Sequence, residues 1–258
     1  MIIDVSKFQG VIDWDKVKAA GIEGAILRAV STNSNGLYKD ETFERNYAEC
    51  KRVGIPVGAY YYTYATQKAY ADRELALFRG CLEGKQFELP IIFDVEDKTL
   101  TKLSKKALTD LTIYALDTIE SWGCYRMYYT GQVYGNTYLD ENRLLNRYDK
   151  WLAYWTTNKP AGVYGMWQYT NNGSVNGING RVDCSYAYKD YPRLIKAAGL
   201  NGFKKEEPKP EPQPEPDPEP TPEPVKPEVP EGFTDADVSV IAKLIRWIIK
   251  IFGVKLDE

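Results

Sequence analysis

The chain has 258 residues, 43% of them hydrophobic and 13% aromatic, enough for one substantial core around a covered sheet. Its formal net charge of -3, with no Lys/Arg cluster in residues 1–200, excludes the electrostatic footprint of a nucleic-acid binder. Histidine is absent, which excludes a Ser-His-Asp triad, a Cys-His dyad and a His-ligated zinc, so acid/base work near neutral pH falls to carboxylates, Lys or Tyr.

Short apolar runs rich in β-branched and aromatic residues alternate with amphipathic stretches along residues 1–203. The run Ile2 to Val5 precedes a helix from Trp14 to Ala20, Gly24 to Val30 precedes Asp40 to Val53, and Val57 to Tyr62 precedes Lys68 to Leu82. Leu89 to Val95 then precedes Ser104 to Trp122, and Arg126 to Thr130 precedes a weaker helical stretch around Asp140 to Arg147. Three further runs follow at Trp151 to Trp155, Tyr164 to Tyr169 and Val182 to Tyr186, then a helix from Tyr191 to Ala198. Eight strands with intervening helices predict an α/β fold, a parallel (β/α) barrel that is irregular where its last strands are joined by loops.

Residues 204–231 read as a Pro/Glu-rich linker. Between Pro208 and Pro230 nearly every second residue is proline, which predicts polyproline II at about 3.1 Å per residue, a reach on the order of 70 Å. Residues 232–258 form a tail with an amphipathic helix from Thr234 to Phe252. Thr234 caps it, Asp235 and Asp237 suit its N-terminal dipole, and Val238, Ile241, Leu244, Ile245, Ile248, Ile249 and Phe252 make a wide apolar face. So small a segment cannot bury that face alone. Self-association into a bundle, contact with a membrane or wall surface through residues 234–252, and docking on the barrel compete to cover it.

The four cysteines, Cys50, Cys81, Cys124 and Cys184, contain no C-x-x-C pair and read as free, packing thiols. The start, Met1-Ile-Ile-Asp-Val-Ser-Lys-Phe-Gln9, lacks a charged region followed by a long apolar run, so synthesis in the cytoplasm without a signal peptide is expected.

Chemistry in a β/α barrel sits where the strands end and the loops open. Asp4, Asp94, Glu96 and Asp183 fall at three such places. Asp94 and Glu96 are expected to end the apolar strand Leu89 to Glu96, where residues i and i+2 point to the same face with Cα atoms about 6.5–7 Å apart. Like charges that close do not both ionise cheaply, so one group is held protonated as a general acid. Glycosidic cleavage needs that division, an acid for the leaving oxygen and a carboxylate for the positive charge on the sugar. The plainer reading is that these acids cap loops or pair with Arg28 and Arg126. Aromatic residues crowd the same places (Tyr60, Tyr61, Tyr62, Tyr64, Tyr128, Tyr129, Tyr154, Trp155, Trp167 and Tyr169), and alternation lets about half of them face the mouth.

Taken in order, Asp4-Val-Ser-Lys-Phe-Gln-Gly10, Gly58-Ala-Tyr-Tyr-Tyr62, Phe93-Asp-Val-Glu96, Trp167-Gln-Tyr169 and Val182-Asp183 resemble the family-25 glycoside hydrolases, lysozymes that cut peptidoglycan between N-acetylmuramic acid and N-acetylglucosamine. The resemblance spans about residues 1–200. It implies Glu96 as general acid and then base, and Asp94 as stabiliser of the transition state through the substrate's 2-acetamido group. It further implies Asp4 and Asp183 as positioning acids, and Tyr62, Tyr129, Trp155 and Gln168 as glycan contacts. Tyr61 stands where many relatives carry His, so a cationic role there is lost. The implied partner is the peptidoglycan glycan strand, with release onto the wall at phage or prophage lysis; no cofactor, metal or nucleic acid is implied. The alternatives are another amino-sugar hydrolase, such as a chitinase, and a catalytically silent wall-binding protein.

Overall fold

Alternation of side chains in and out along each strand creates two separate cores in this molecule, and the strand order explains why. The computed structural model describes residues 1–205, 231–232 and 234–252. Its first unit, Met1–Glu207, carries strands β1 (Ile2–Val5), β2 (Gly24–Asn33), β3 (Gly36–Lys39), β4 (Val57–Tyr62), β5 (Ile91–Asp94), β6 (Arg126–Gly131), β7 (Asp149–Ala153), β8 (Met166–Gly173) and β9 (Val182–Ala187). Between them run helices α1 (Trp14–Ala19), α2 (Phe43–Val53), α3 (Lys68–Leu82), α4 (Lys105–Ser121), α5 (Gln132–Tyr138) and α6 (Glu141–Leu145), with α7 (Tyr191–Ala198) after the last strand. The order β1-β9-β8-β7-β6-β5-β4-β2, closed by pairing of β1 with β2, is an eight-stranded barrel with no free edge, and β3 is added to β2 as a hairpin.

The expected (β/α) barrel is therefore present, with its irregularity in the final strands. All pairings from β1 through β2 and β4 to β8 are parallel, but β9 runs antiparallel to both β8 and β1. No helix lies between β8 and β9, so the chain turns straight back, as an antiparallel connection permits.

Inward positions make a core inside the barrel, with Ile2, Ile26, Ile92, Met127, Trp151 and Met166 buried there. Outward positions pack under the helices: Ile3, Leu27, Ala59, Phe93 and Tyr128 meet Val17, Phe43, Phe78, Leu108 and Leu116. The helices are set by local signals. Asp13 caps α1 by accepting from the Lys16 N–H, Ser104 caps α4 through the Ala107 N–H, and Asp190 caps α7 through the Arg193 N–H. All four cysteines are free and buried.

Two elements go beyond the sequence expectation. The hairpin β2–β3 turns through Ser34 and Asn35, with the Asn33 side chain accepting from the Asn35 N–H at 2.8 Å and Gly36 at φ 105°. Gly36, the first residue of β3, supplies the positive φ with which the chain leaves the two-residue turn. Helix α5 has Gly135 in its middle, a poor helix former that is needed because a Cβ there would lie 2.5 Å from Glu141 Oε1 and 2.9 Å from Thr130. The linker expected over residues 204–231 falls almost wholly outside the described residues. The second unit, Pro208–Glu258, contains the described helix α8 (Asp235–Phe252).

Gly58 tests the tightness of the inner core. A Cβ there would sit 2.8 Å from the Pro90 carbonyl and 2.9 Å from Leu89 Cβ, and the carbonyl belongs to a neighbouring strand region that cannot swing aside. Gly58→Ala is expected to cost roughly 1–3 kcal/mol in urea unfolding; an unchanged midpoint would show that the barrel interior yields.

Candidate active site

The upper interior of the barrel is not apolar. A cavity of about 300 Å³ opens there, and Asp4, Tyr62, Asp94, Glu96, Tyr129, Trp155, Gln168 and Asp183 all line it. The eight residues singled out from the sequence therefore share one cleft. Asp4 is an inward position of β1 and Asp94 ends β5, while Glu96 lies two residues beyond the end of that strand. Asp183 stands near the beginning of β9, not at its end; because β9 is antiparallel, that beginning lies at the same mouth, directly opposite Asp4 in the ladder. In the neighbouring registers, Tyr62 pairs with Asp94 and Asp94 with Tyr129, which fixes two phenols beside the acid.

One hydrogen-bonded chain orders the wall next to Asp4. Tyr129 donates its hydroxyl to Gln168 Oε1 at 3.1 Å and Trp155 donates its indole N–H to the same oxygen at 3.0 Å. That oxygen accepts both bonds, so the amide NH₂ points the other way and donates to Asp4 Oδ2 at 3.0 Å. Trp155 is 58% exposed and forms a rim, whereas Gln168 is buried. Beneath them Trp151 packs edge-on to Tyr129, centroids 4.7 Å apart, and donates to Ser185 Oγ.

The cations do not neutralise the acids. Arg28 reaches the cleft from β2, but its Nε–H donates to Asp40 Oδ2 at 2.9 Å, and its Nη2 lies 2.8 Å from the same oxygen as an ion pair without a hydrogen bond of its own. Asp40 is itself held by the Thr42 amide and hydroxyl and by the Lys7 amide. Arg126 pairs with Glu120, so the plainer reading, in which Arg28 and Arg126 pair with the four acids, does not describe this structure. Asp94 Oδ1 is buried and has no hydrogen-bond partner among the described residues.

Burial raises the pKa of every member of the group, and repulsion from neighbouring acids adds to it for Asp4, Asp94 and Glu96. Asp94 is pushed well above the usual carboxylate range by burial, then by Glu96 and Asp4, with Arg28 opposing. Asp4 is raised by burial and by Asp183 against the Gln168 bond, and Asp183 by burial. Glu96 is pushed up to about 7 by burial, then by Asp183 and Asp97. The site thus holds protons at pH values where ordinary carboxylates are ionised.

Several lining residues lay outside the sequence expectation: Ser6, Phe8, Trp151 and Asn171. Phe8 is 76% exposed and stacks over the Arg28 guanidinium at 4.8 Å, a position that carries no periodic signal. Tyr61 points the other way. It is buried outside the barrel between Phe78 and Phe93, centroids 4.9 and 5.2 Å away, and does not line the cleft.

A family model described as glycosyl hydrolases family 25 matches residues 3–178. YegX of Escherichia coli, described as uncharacterized, is 30% identical over 187 residues, 70% of this chain and 66% of that protein. Lysozyme M1 of Streptomyces globisporus is 28% identical over 219 residues, 76% of this chain and 70% of that one. Among solved structures, a bacterial lysozyme from Streptomyces coelicolor superposes with a TM-score of 0.66 at 26% identity, covering 78% of this chain and 96% of that one.

A raised acid pKa has a consequence for folding. Below the ordinary value of 4.5, Glu96 is protonated both folded and unfolded; above it the unfolded group ionises while the folded one keeps its proton, so burial opposes folding increasingly until the folded group also ionises at about 7. Glu96→Gln is expected to match the parent in urea unfolding near about pH 4 and to exceed it by roughly 2 kcal/mol near about pH 8. Equal stabilities at the higher pH would contradict the shift.

Proposed function

Because the chain belongs to the glycosyl hydrolases of family 25, we propose that it is a muramidase, hydrolysing the β-1,4 bond between N-acetylmuramic acid and N-acetylglucosamine in peptidoglycan. The observation that carries this reading is the single cleft in which Glu96 is held at about 7 beside an Asp94 oxygen that is buried and unbonded among the described residues. A carboxyl group with a pKa near neutrality gives up its proton to a leaving oxygen and can take one back, so Glu96 protonates the glycosidic oxygen and then, as the carboxylate, activates water. Asp94 Oδ1 offers an acceptor to the 2-acetamido N–H of the bound sugar, aligning that group to attack the anomeric carbon as positive charge develops there.

Asp4 and Asp183 act through position. Facing each other across the β1–β9 ladder, they set the field that keeps a proton on the group, and Asp4 is itself aimed by Gln168. Tyr62, Tyr129 and Trp155 supply aromatic surface suited to the C–H faces of sugar rings, their polar tips being held by Asp97 and Gln168. The residues form no set that calls for a cofactor in this reading.

Purified peptidoglycan treated with the protein and reduced with borohydride is expected to yield reduced muramic acid by mass spectrometry. With Glu96→Gln the rate is expected to fall by about 10²–10⁴-fold. Reduced glucosamine would move the cut to the other bond and contradict the proposed specificity; no new reducing end from the parent would favour a silent wall-binding protein.

For the tail we propose self-association. In α8, Val240, Ile241, Leu244, Ile245, Trp247 and Ile251 are all exposed, and Asp235 and Asp237 begin the helix while Lys250 ends it, so antiparallel copies bring opposite charges together. The Pro-rich segment acts in this proposal as the spacer between barrel and tail. Light scattering is expected to give a multiple of the chain mass for the full protein and a monomer for a chain ending at Lys205. Monomers in both cases, with the full chain alone floating with anionic vesicles, would replace self-association with surface binding.

A further inference from the structure

A second cavity, of about 290 Å³, lies beside the cleft, lined by Thr32, Gly36 and Leu37 of the β2–β3 hairpin and by Tyr64, Tyr70, Arg73 and Glu74 around the start of α3. Its wall continues that of the cleft: the Tyr64 ring lies 5.1 Å from the Tyr62 ring, which lines the first cavity. The floor is fixed. Glu74 is buried, accepting from the Tyr64 amide at 3.0 Å and from the Thr63 hydroxyl, so its charge is already used. Arg73 is different. It is exposed, stacks on the Tyr70 ring at 5.8 Å and makes no ion pair among the described residues, whereas its neighbour Asp72 is bound to Lys68 and Tyr114. Tyr70 is 51% exposed and Leu37 also faces solvent, giving an apolar groove that ends at a free guanidinium.

We propose that this groove binds the peptide substituent of the glycan, seating its apolar side chains between Leu37 and Tyr70 and pairing a peptide carboxylate with Arg73. The inference rests on the muramidase reading, because muramic acid carries its peptide on a lactyl group that projects sideways from the strand. Charge decides which side the peptide takes. The cleft holds Asp4, Asp94, Glu96 and Asp183, so an anionic peptide is repelled from its centre and drawn to an unpaired cation just past the rim. A planar guanidinium also offers a carboxylate two parallel N–H donors.

The test compares intact peptidoglycan glycan with the same strands stripped of peptide by an amidase, using the full-length parent, Arg73→Gln, Arg73→Lys and Tyr70→Ala. The parent is expected to cut the peptide-bearing strand with the higher kcat/KM. Arg73→Gln is expected to lose roughly fivefold on that strand, mostly in KM, and nothing on the stripped one, with Arg73→Lys recovering part of the loss. Tyr70→Ala is expected to weaken the same preference. Equal rates on both strands for the parent, or an equal loss on both strands in Arg73→Gln, would overturn the peptide site while leaving the muramidase standing. No hydrolysis of either strand by the parent would overturn the muramidase reading itself, and this inference with it.

Discussion

Four carboxyl groups held at one mouth of a closed barrel repel one another, and the nearby cation that could relieve them is committed elsewhere. Arg28 is the only guanidinium lining the cleft among the described residues, and it is ion-paired with Asp40, to which its Nε–H donates. Asp40 is in turn pinned by Thr42 and Lys7. Had Arg28 turned to Asp94, that carboxylate would be ionised and the repulsion on Glu96 would rest on a different balance. The Arg28–Asp40 pair therefore preserves the frustration of the site as much as it contributes to packing. Strained electrostatics of this sort are tolerable only where the rest of the barrel is well packed, as the apolar interior from Ile2 to Met166 is.

The fold converts sequence distance into that proximity. Asp4 and Asp183 are separated by nearly the whole catalytic unit, yet ring closure through β1 and β9 makes them ladder partners. The reversal of β9 is what makes closure useful, since it brings the beginning of the last strand to the mouth where the other strands end. The chain Tyr129–Gln168–Asp4, with Trp155 joining at Gln168, then links β6, β8 and β1 across the cleft and holds the acid in one orientation.

Much of this was legible in the sequence because it depends on local pattern. The barrel follows from eight apolar runs with helices between them, and β1, β4, α3 and α7 occupy the spans that periodicity predicts. The Asp94-x-Glu96 spacing places both acids on the cavity by geometry alone. What could not be read depends on partners distant in the chain. The direction of β9 is set by its two neighbours and the commitment of Arg28 by Asp40 across a hairpin, whereas the outward turn of Tyr61 follows from the local alternation that puts Tyr60 and Tyr62 inside. The short hairpin strand β3 pairs with β2 and carries Leu37 to the rim of the second cavity.

The proposed chemistry requires that Glu96 retain its proton near neutrality because of burial and of Asp183. Carbon-detected NMR titration of the Glu96 carboxyl, in the parent and in Asp183→Asn, measures this directly. A pKa of about 7 in the parent that falls in the variant is the expected result. A Glu96 that titrates at the ordinary 4.5 in both proteins would contradict the central claim, whatever the enzyme's activity.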